Sequence, residues 1–594
     1  MAISNSGSVE RGKTLDFLAH QGAVQCDNDP LPSSSRRFNV LSKVSKKRRK
    51  STKEVVGEPV AVLLYFMAIA VLFLGLASCS RQTSSADQIV VGIEAEPERF
   101  DPLTMKNPKN FIVSWQIFEG LLGLDKNGQI TPALAESWET SDNQVWRFRI
   151  RQGVRFHDSE MFGSQSQSRV MTVEDVVESY TAFCSSAAYP AFLLMDSIKG
   201  CAEYNAGTAN VVDGVRAIDD KTLEINLIKP EPFFLNRLTT AWIAIFPREA
   251  KDSRFKDSWG FNLSVGTGPY LLKSRSDTEI VLVRNPNYWD KSQHGGIVRL
   301  TFRVIKNDQV RLAELKKGGI DMMLLPPSLF PAALDPYGSL KNDIAAKFQM
   351  KVFATFNSHL LGINDLKITD QHLRLAMSYG TNRKQIVDKF FYGYADVIGG
   401  AVPPGMSGYV PAISPETLFN LEKARDELSR SSYRGEPLEL FVHEQAVSEQ
   451  IGQLFQSQMK TIGINIQLTK LDFNSVIGRI VKGDAPMFSM FFDYVLSSPE
   501  PILINLFSST KRPVPNFWQF TDPLIDSELE GLRALSHEAS VEKSAEIEKE
   551  IMEQAPAIFL FRLKQVILYS KKYGELSVNP HGYFRFSELS SAES

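Results

Sequence analysis

The stretch Leu438-Glu-Leu-Phe-Val-His443, read together with Ile464-Asn-Ile-Gln-Leu468, decides the fold class. The first run is apolar and rich in strand-forming side chains. Between the two runs, Ile451, Leu454, Phe455, Met459 and Ile462 recur at three- and four-residue steps, which places them on one face of a helix. Gly463 stops that helix, and the second run alternates as a strand. Strand, helix and strand in such short order build parallel sheets covered by helices. The fold class is therefore read as α/β.

Working outward, the amino-terminal side is less regular. Gln88–Ile93 reads as a strand, and Glu94–Pro102 as a loop. Phe111–Leu122 reads as a helix ending at Gly123. Val145–Ile150 alternates as a half-buried strand and turns at Gln152-Gly153. Thr172-Val-Glu-Asp175 is a capping box, and Val173, Val176, Val177 and Tyr180 share one helical face behind it. Thr222–Leu227 alternates again. No repeat at solenoid period is visible.

The chain has 594 residues, with 66 Lys+Arg against 68 Asp+Glu. Residues 1–78 hold 11 basic and 6 acidic side chains, which leaves the rest with 55 against 62, a net charge of −7. That balance argues against nucleic acid as a partner. A length of roughly 515 residues beyond position 79 implies two or three lobes rather than one core.

Val60–Ala77 carries no charged residue and follows the basic cluster Lys46–Lys50. Basic residues, an apolar run and then small residues form the order of a secretory signal. A run of about 18 residues is also just long enough to span a bilayer, so length does not separate a cleaved signal from an uncleaved anchor helix. The end of the run favours the first. Leu76-Ala77-Ser78-Cys79 resembles the lipobox of bacterial lipoproteins, which implies cleavage before Cys79 and lipid on its thiol. Residues 1–78 are then a polar, basic extension plus signal, and 79–87 the lipidated cysteine and a flexible tether. No fold is expected in the first fifty residues. Beyond Cys79 only Cys184 and Cys201 remain. An oxidising compartment permits a bridge between them, but sequence does not fix the geometry, and two buried thiols are the alternative.

No catalytic or phosphate-binding motif is found. His443-Glu444 begins like a zinc protease motif, but the partner histidine is missing. No metal site or cofactor is expected, and an enzyme is the reading with least support.

An ordered series of segments resembles the family 5 extracellular solute-binding proteins, the peptide receptors of bacterial ABC importers. Pro97-Glu-Arg-Phe-Asp-Pro102 is followed by Phe118–Leu122, Pro132–Trp138 and Trp146–Asp158. Then come Thr172–Val176, Gly266-Thr-Gly-Pro-Tyr270, Arg284–Asp290, Leu373–Arg383, Pro499-Glu-Pro501 and Ala555-Pro556. The series runs from about Val90 to Phe586. The resemblance implies a class II periplasmic binding protein-like fold, with two hinged lobes gripping a ligand and an inserted third domain. Laid on this chain, the first lobe is 88–123, 229–345 and 548–594, the insertion 124–228, and the second lobe 346–547. It implies capture of oligopeptides or another small solute, delivery to ABC transporter permease subunits by hinge closure, and a lipid-anchored monomer on the periplasmic side of a membrane.

The family's gripping loop commonly reads aromatic-x-x-Asp-Tyr-Pro-Asp-Pro, and this chain has Tyr494-Val-Leu-Ser-Ser-Pro-Glu-Pro501. By that resemblance Tyr494 takes the aromatic position, and Val495 one whose backbone meets ligand. Ser497 stands where an amine-binding aspartate is expected, and a hydroxyl cannot neutralise an ammonium. Asp493, Glu500 and Glu96 are the candidate substitutes, and His443, at the carboxyl end of a strand, is a candidate to reach the cleft. The departure at Ser497 keeps other solutes open: a metal chelate, haem, a dipeptide or a sugar. A surface lipoprotein with an interaction role also stays open.

Overall fold

Strand β1 (Gln88–Ile93) forms where the sequence alternates, with Ile89 and Val91 turned into the core. A computed structural model describes residues 87–106, 111–163, 167–293, 296–411, 413–444 and 446–592. The basic extension, the apolar run, Cys79 and most of the expected tether lie outside the described residues. Among the described residues no helix is long and apolar enough to cross a membrane.

The helix expected over Phe111–Leu122 is shorter, Phe111–Ile117. Its continuation is pulled straight, because Glu119 bridges to Ile245 and Leu122–Leu124 becomes β2, paired with β3 (Ile130–Pro132). Strands β4 (Ala135–Glu139), β5 (Val145–Ile150), β6 (Val215–Ala217) and β7 (Thr222–Asn226) form a sheet in the order β4-β5-β7-β6. The helix Val173–Phe183 covers it, and the Thr172 backbone N–H donates to Asp175 Oδ2 at 2.9 Å, as the capping box requires. Cys184 and Cys201 are joined in a disulfide beside this helix.

The large sheet takes its first-lobe strands from β1, β8 (Tyr270–Arg275), β9 (Glu279–Arg284), β10 (Arg299–Val304), β11 (Met322–Leu324) and β12 (Phe348–Ala354), with β1 between β10 and β11. Its second-lobe strands are β13 (Asn357–Ile363), β14 (Ala395–Val397), β15 (Leu438–His443), β16 (Ile466–Leu471) and β17 (Met487–Asp493). The strand–helix–strand unit forms as expected. β15 and β16 pair in parallel, Leu438 opposite Ile466, and the helix Ala446–Thr461 buries Ile451, Phe455 and Met459. The second strand starts two residues later than Ile464.

One long strand, β18 (Ala557–Ser570), joins the halves. Ala557–Phe561 pairs with β13, and Lys564–Ser570 pairs with β12. The short link from β12 to β13 makes the second crossing. Asn357 pins the two crossings together, donating from Nδ2 to the Leu563 carbonyl at 2.9 Å and accepting the Leu563 N–H at 2.7 Å. A buried amide that pairs both groups of a backbone unit stands in for a strand partner.

At the expected lobe edges, elements pack against both cores. Position 548 falls inside the helix His537–Glu553, whose Ile547 and Ile551 pack with Phe488 and Phe559 of the second lobe. Position 346 precedes β12, whose Phe348 packs with Met323 and Leu568 of the first. The crossing strand β18 contributes to both cores, Phe559 to one and Val566 and Leu568 to the other. The insertion has no core to itself: Trp146, Phe148 and Val176 share one with Ile89, Leu282 and Phe302.

Candidate ligand-binding site

The motif residues of the first lobe converge on Glu119. Its carboxylate is buried and accepts from Thr267 Oγ1 at 2.7 Å, Tyr288 Oη at 2.8 Å and Trp289 Nε1 at 3.0 Å. Arg585 stands 3.9 Å away. Three separate motifs thus meet at one charge. The glycines of Gly266-Thr-Gly-Pro-Tyr270 permit this approach, since a Cβ on Gly266 would lie 2.0 Å from the Ile117 carbonyl oxygen. His157 fastens the same turn: Nδ1 accepts the Gly266 N–H at 3.4 Å and Nε2 donates to the Gly268 carbonyl at 2.9 Å. Burial lowers its pKa to about 4, so it is neutral at pH 7. Asp101 fixes the opening loop by accepting from Leu103 N at 3.0 Å and Trp259 Nε1 at 3.1 Å. These groups satisfy one another and build a frame.

The loop that the resemblance assigns to gripping a ligand runs from Tyr494 to Pro501. It leaves β17 in the second lobe, and its side chains divide between two cores. Tyr494 packs on the second-lobe core, while Val495 and Leu496 pack with the first-lobe core. Tyr494 is half-buried, stacks on Phe492 at 6.2 Å, and shares a 2.7 Å hydrogen bond with Ser358 Oγ. Burial raises the pKa of its hydroxyl, with Glu548 nearby adding to the effect. Ser497 is fully buried. Its Oγ accepts from Asn236 Nδ2 at 2.9 Å, and its carbonyl accepts the Ser407 N–H at 2.9 Å. Asn236 sits on the short helix Phe234–Arg237, which packs in the first-lobe core. Position 497 is therefore a contact between lobes.

The expected acids are dispersed. Glu500 is buried at the start of the helix Pro499–Phe507 and acts on Arg237. Burial disfavours that guanidinium's charge, but Glu231, Asp196 and Glu500 outweigh it and raise its pKa. Glu96 is half-buried and paired with Arg275 at 3.0 Å; Arg275 also binds the Pro97 and Glu98 carbonyls, so this pair holds the opening loop. Asp493 is exposed and lies close enough to Tyr583 to help raise its pKa, after burial. His443 is buried against Phe473 at 6.0 Å, with Nδ1 unpaired among the described residues, and burial lowers its pKa. It sits inside the second lobe, near His359.

Sequence reading missed three features. Asn236 and Ser407 lie outside every motif and meet Ser497 only through the fold. Glu548, 2% exposed, accepts the Val402 N–H at 2.8 Å, and burial pushes its carboxyl up to about 7 against these backbone bonds. Three partly exposed rings, Trp115, Tyr583 and His581, stand in a row, with Asp493 near Tyr583. Trp115 and Tyr583 are 5.2 Å apart, and Tyr583 and His581 5.7 Å. Among the described residues no group of three or more His, Cys, Asp or Glu side chains is placed to hold a metal ion.

A family model described as "Bacterial extracellular solute-binding proteins, family 5 Middle" matches residues 129–513. The nickel-binding periplasmic protein of Escherichia coli K12 is 25% identical over 484 residues, covering 77% of this chain and 85% of that protein. The periplasmic murein peptide-binding protein MppA of the same organism is 26% identical over 498 residues, covering 79% and 86%. Among solved structures, HbpA2 from Haemophilus parasuis superposes with a TM-score of 0.73 at 23% identity, covering 85% of this chain and 99% of that one.

Proposed function

The chain belongs to the bacterial extracellular solute-binding proteins of family 5, non-enzymatic periplasmic solute carriers that serve ABC importers, and from that premise we propose that it captures oligopeptides between its two lobes. The observation that carries this reading is the gripping loop, with Tyr494 in one core and Leu496 in the other. A ligand that touches both sides of such a loop favours the closed state by its differential affinity, and β18 with the β12–β13 link is the hinge. The working division is a first lobe and insertion built on β1–β12 and the end of β18, and a second lobe from β13 to the start of β18. The partly exposed row of Trp115, Tyr583 and His581 suits apolar side chains of an extended peptide. Peptide capture fits the murein peptide-binding relative.

Cys79 carries the lipid that anchors the protein, which otherwise acts as a monomer. Cys79→Ala abolishes lipid attachment and membrane retention; unchanged association with the membrane sinks this point.

The ring row also favours a second reading, a planar non-peptide solute, because aromatic faces stack on flat ligands. Native mass spectrometry of the purified protein separates the two. Short peptides that co-purify with wild type and vanish from Tyr494→Ala establish peptide capture. A single defined non-peptide mass establishes the second reading and ends the first.

A further inference from the structure

Phe233 is 3% exposed, yet among the described residues it belongs to none of the apolar cores of either lobe. Its neighbours along the chain are fixed in the first lobe. Phe234 and Leu238 pack in the first-lobe core, and Glu231 accepts from Ser197 Oγ at 2.7 Å and from Arg237 Nε at 3.1 Å.

The Phe233 ring instead meets the second lobe. Its centroid is 4.7 Å from that of the His537 ring, the planes tilted by 59°. His537 opens the helix His537–Glu553, which packs on the second-lobe core through Ile547 and Ile551. Gly408 stands beside the same ring. A Cβ there would lie 3.5 Å from Phe233 Cε1 and 2.5 Å from Val541 Cγ2, so ring, loop and helix meet only around a glycine. A φ of +77° asks for glycine as well. The loop that carries Gly408 is tied down on its own side: Glu548 accepts the Val402 N–H at 2.8 Å, and Arg562 Nη1 donates to the Pro404 carbonyl at 2.6 Å. A fixed base in one lobe thus presents one large ring to a socket built in the other. Burying such a ring is among the larger gains a single apolar side chain brings, and this contact needs no ligand.

Resting on the hinge reading but not on the identity of the ligand, we propose that Phe233 is a latch. Its ring seats between His537, Gly408 and Val541 in the closed form, holds the lobes together before a ligand arrives, and leaves the socket when they part. Phe233 is then a positioning residue: it sets affinity through the open–closed equilibrium rather than by touching the ligand. Weakening the latch lowers the affinity for any ligand of the closed form by the factor by which the closed fraction falls.

The test is hydrogen–deuterium exchange on the full-length protein in detergent, without added ligand, comparing wild type with Phe233→Ala. Segment 404–409 lies against the latch, whereas 494–498 reaches the first lobe through Asn236. The expected result is exchange about tenfold or more faster in both segments, the lower end of what a buried ring contributes, with the amides of β1 and β10 unchanged. Unchanged rates in the folded variant overturn the latch. Acceleration confined to 404–409 reduces Phe233 to local packing, and acceleration that includes β1 and β10 makes it part of the fold; either result also overturns the latch. Where Phe233→Ala does not fold, His537→Ala trims the opposite wall with a smaller acceleration expected in the same two segments, and an unchanged 494–498 overturns the proposal. A mixed-sequence pentapeptide library is added as a separate arm. Slow exchange restored in the variant only at about tenfold higher peptide than in wild type supports the latch; equal concentrations overturn its role in affinity. Protection of neither protein ends the oligopeptide reading and leaves the latch standing or falling on the ligand-free result.

Discussion

Glu119 and the gripping loop are both buried polar centres built on family motifs, but they differ in what they bind together. Glu119 joins three segments of one lobe through Thr267, Tyr288 and Trp289. The gripping loop reaches the first lobe through a single hydrogen bond, Ser497 to Asn236, and is tied to its own lobe by Tyr494 to Ser358. The first centre is charged, crowded and internally satisfied, and so serves stability. The second has one neutral hydrogen bond across the lobe boundary beside the charges of Glu500 and Arg237, and Arg237 keeps Glu231 as a partner in its own lobe. A hinge protein needs both kinds: a lobe that does not deform and a contact between lobes that can break.

Three substitutions bear on that contrast. Glu119→Ala should have the largest effect. It strands two hydroxyls and an indole N–H in the interior, and a loss of about 4 kcal/mol in unfolding free energy is expected, read by urea denaturation. A loss below about 1 kcal/mol would erase the distinction between frame and loop.

Glu548→Gln comes second and sharpens the contrast, because Glu548 holds the backbone just before Ser407. Its folded pKa of about 7 lies above the ordinary 4.5. The folded chain therefore keeps a proton that the unfolded chain has lost between those values. The stabilising contribution is complete below pH 4.5 and is lost as pH rises through about 7. Gln removes that loss, so the variant should match wild type near pH 4.5 and exceed it by about 3 kcal/mol at pH 8. Using the difference between the two proteins cancels His157, His359 and His581. Burial lowers these to about 4, 3 and 4, so their contribution is present above the unfolded 6.5 and is lost as pH falls. A difference that does not vary with pH would refute the buried carboxyl acid.

Tyr494→Phe should have the smallest effect, about 1 kcal/mol in stability, since only the bond to Ser358 goes and the stack on Phe492 remains. Thermal melting checks it. A loss as large as that of Glu119→Ala would place Tyr494 in the frame rather than at the ligand.

Much of the frame was legible in the sequence. The periodicity of Leu438–Leu468 set the α/β class, and the motif series set the family, because both depend on patterns along the chain. The helix from Phe111 was read too long because Glu119, which ends its helical course, is claimed by residues more than a hundred positions away. The change of partners along β18, from β13 to β12, is not legible in the sequence, because the strand reads as one run and nothing along it marks the change. The partner of Glu96 is not legible in the sequence, because Arg275 lies 179 positions away and meets it only in the fold. His443 was placed correctly at the end of its strand, but Phe473 buries it.

The sequence by itself determined the fold class, the family and the replacement of an expected aspartate by Ser497. Those are properties of residue type and order. Only the tertiary structure decided what Ser497 touches, which acids are already paired, and that Glu548 carries a displaced pKa. Those depend on neighbours contributed by distant segments, and the energy of a buried charge or hydroxyl is set by such neighbours rather than by its own chemistry.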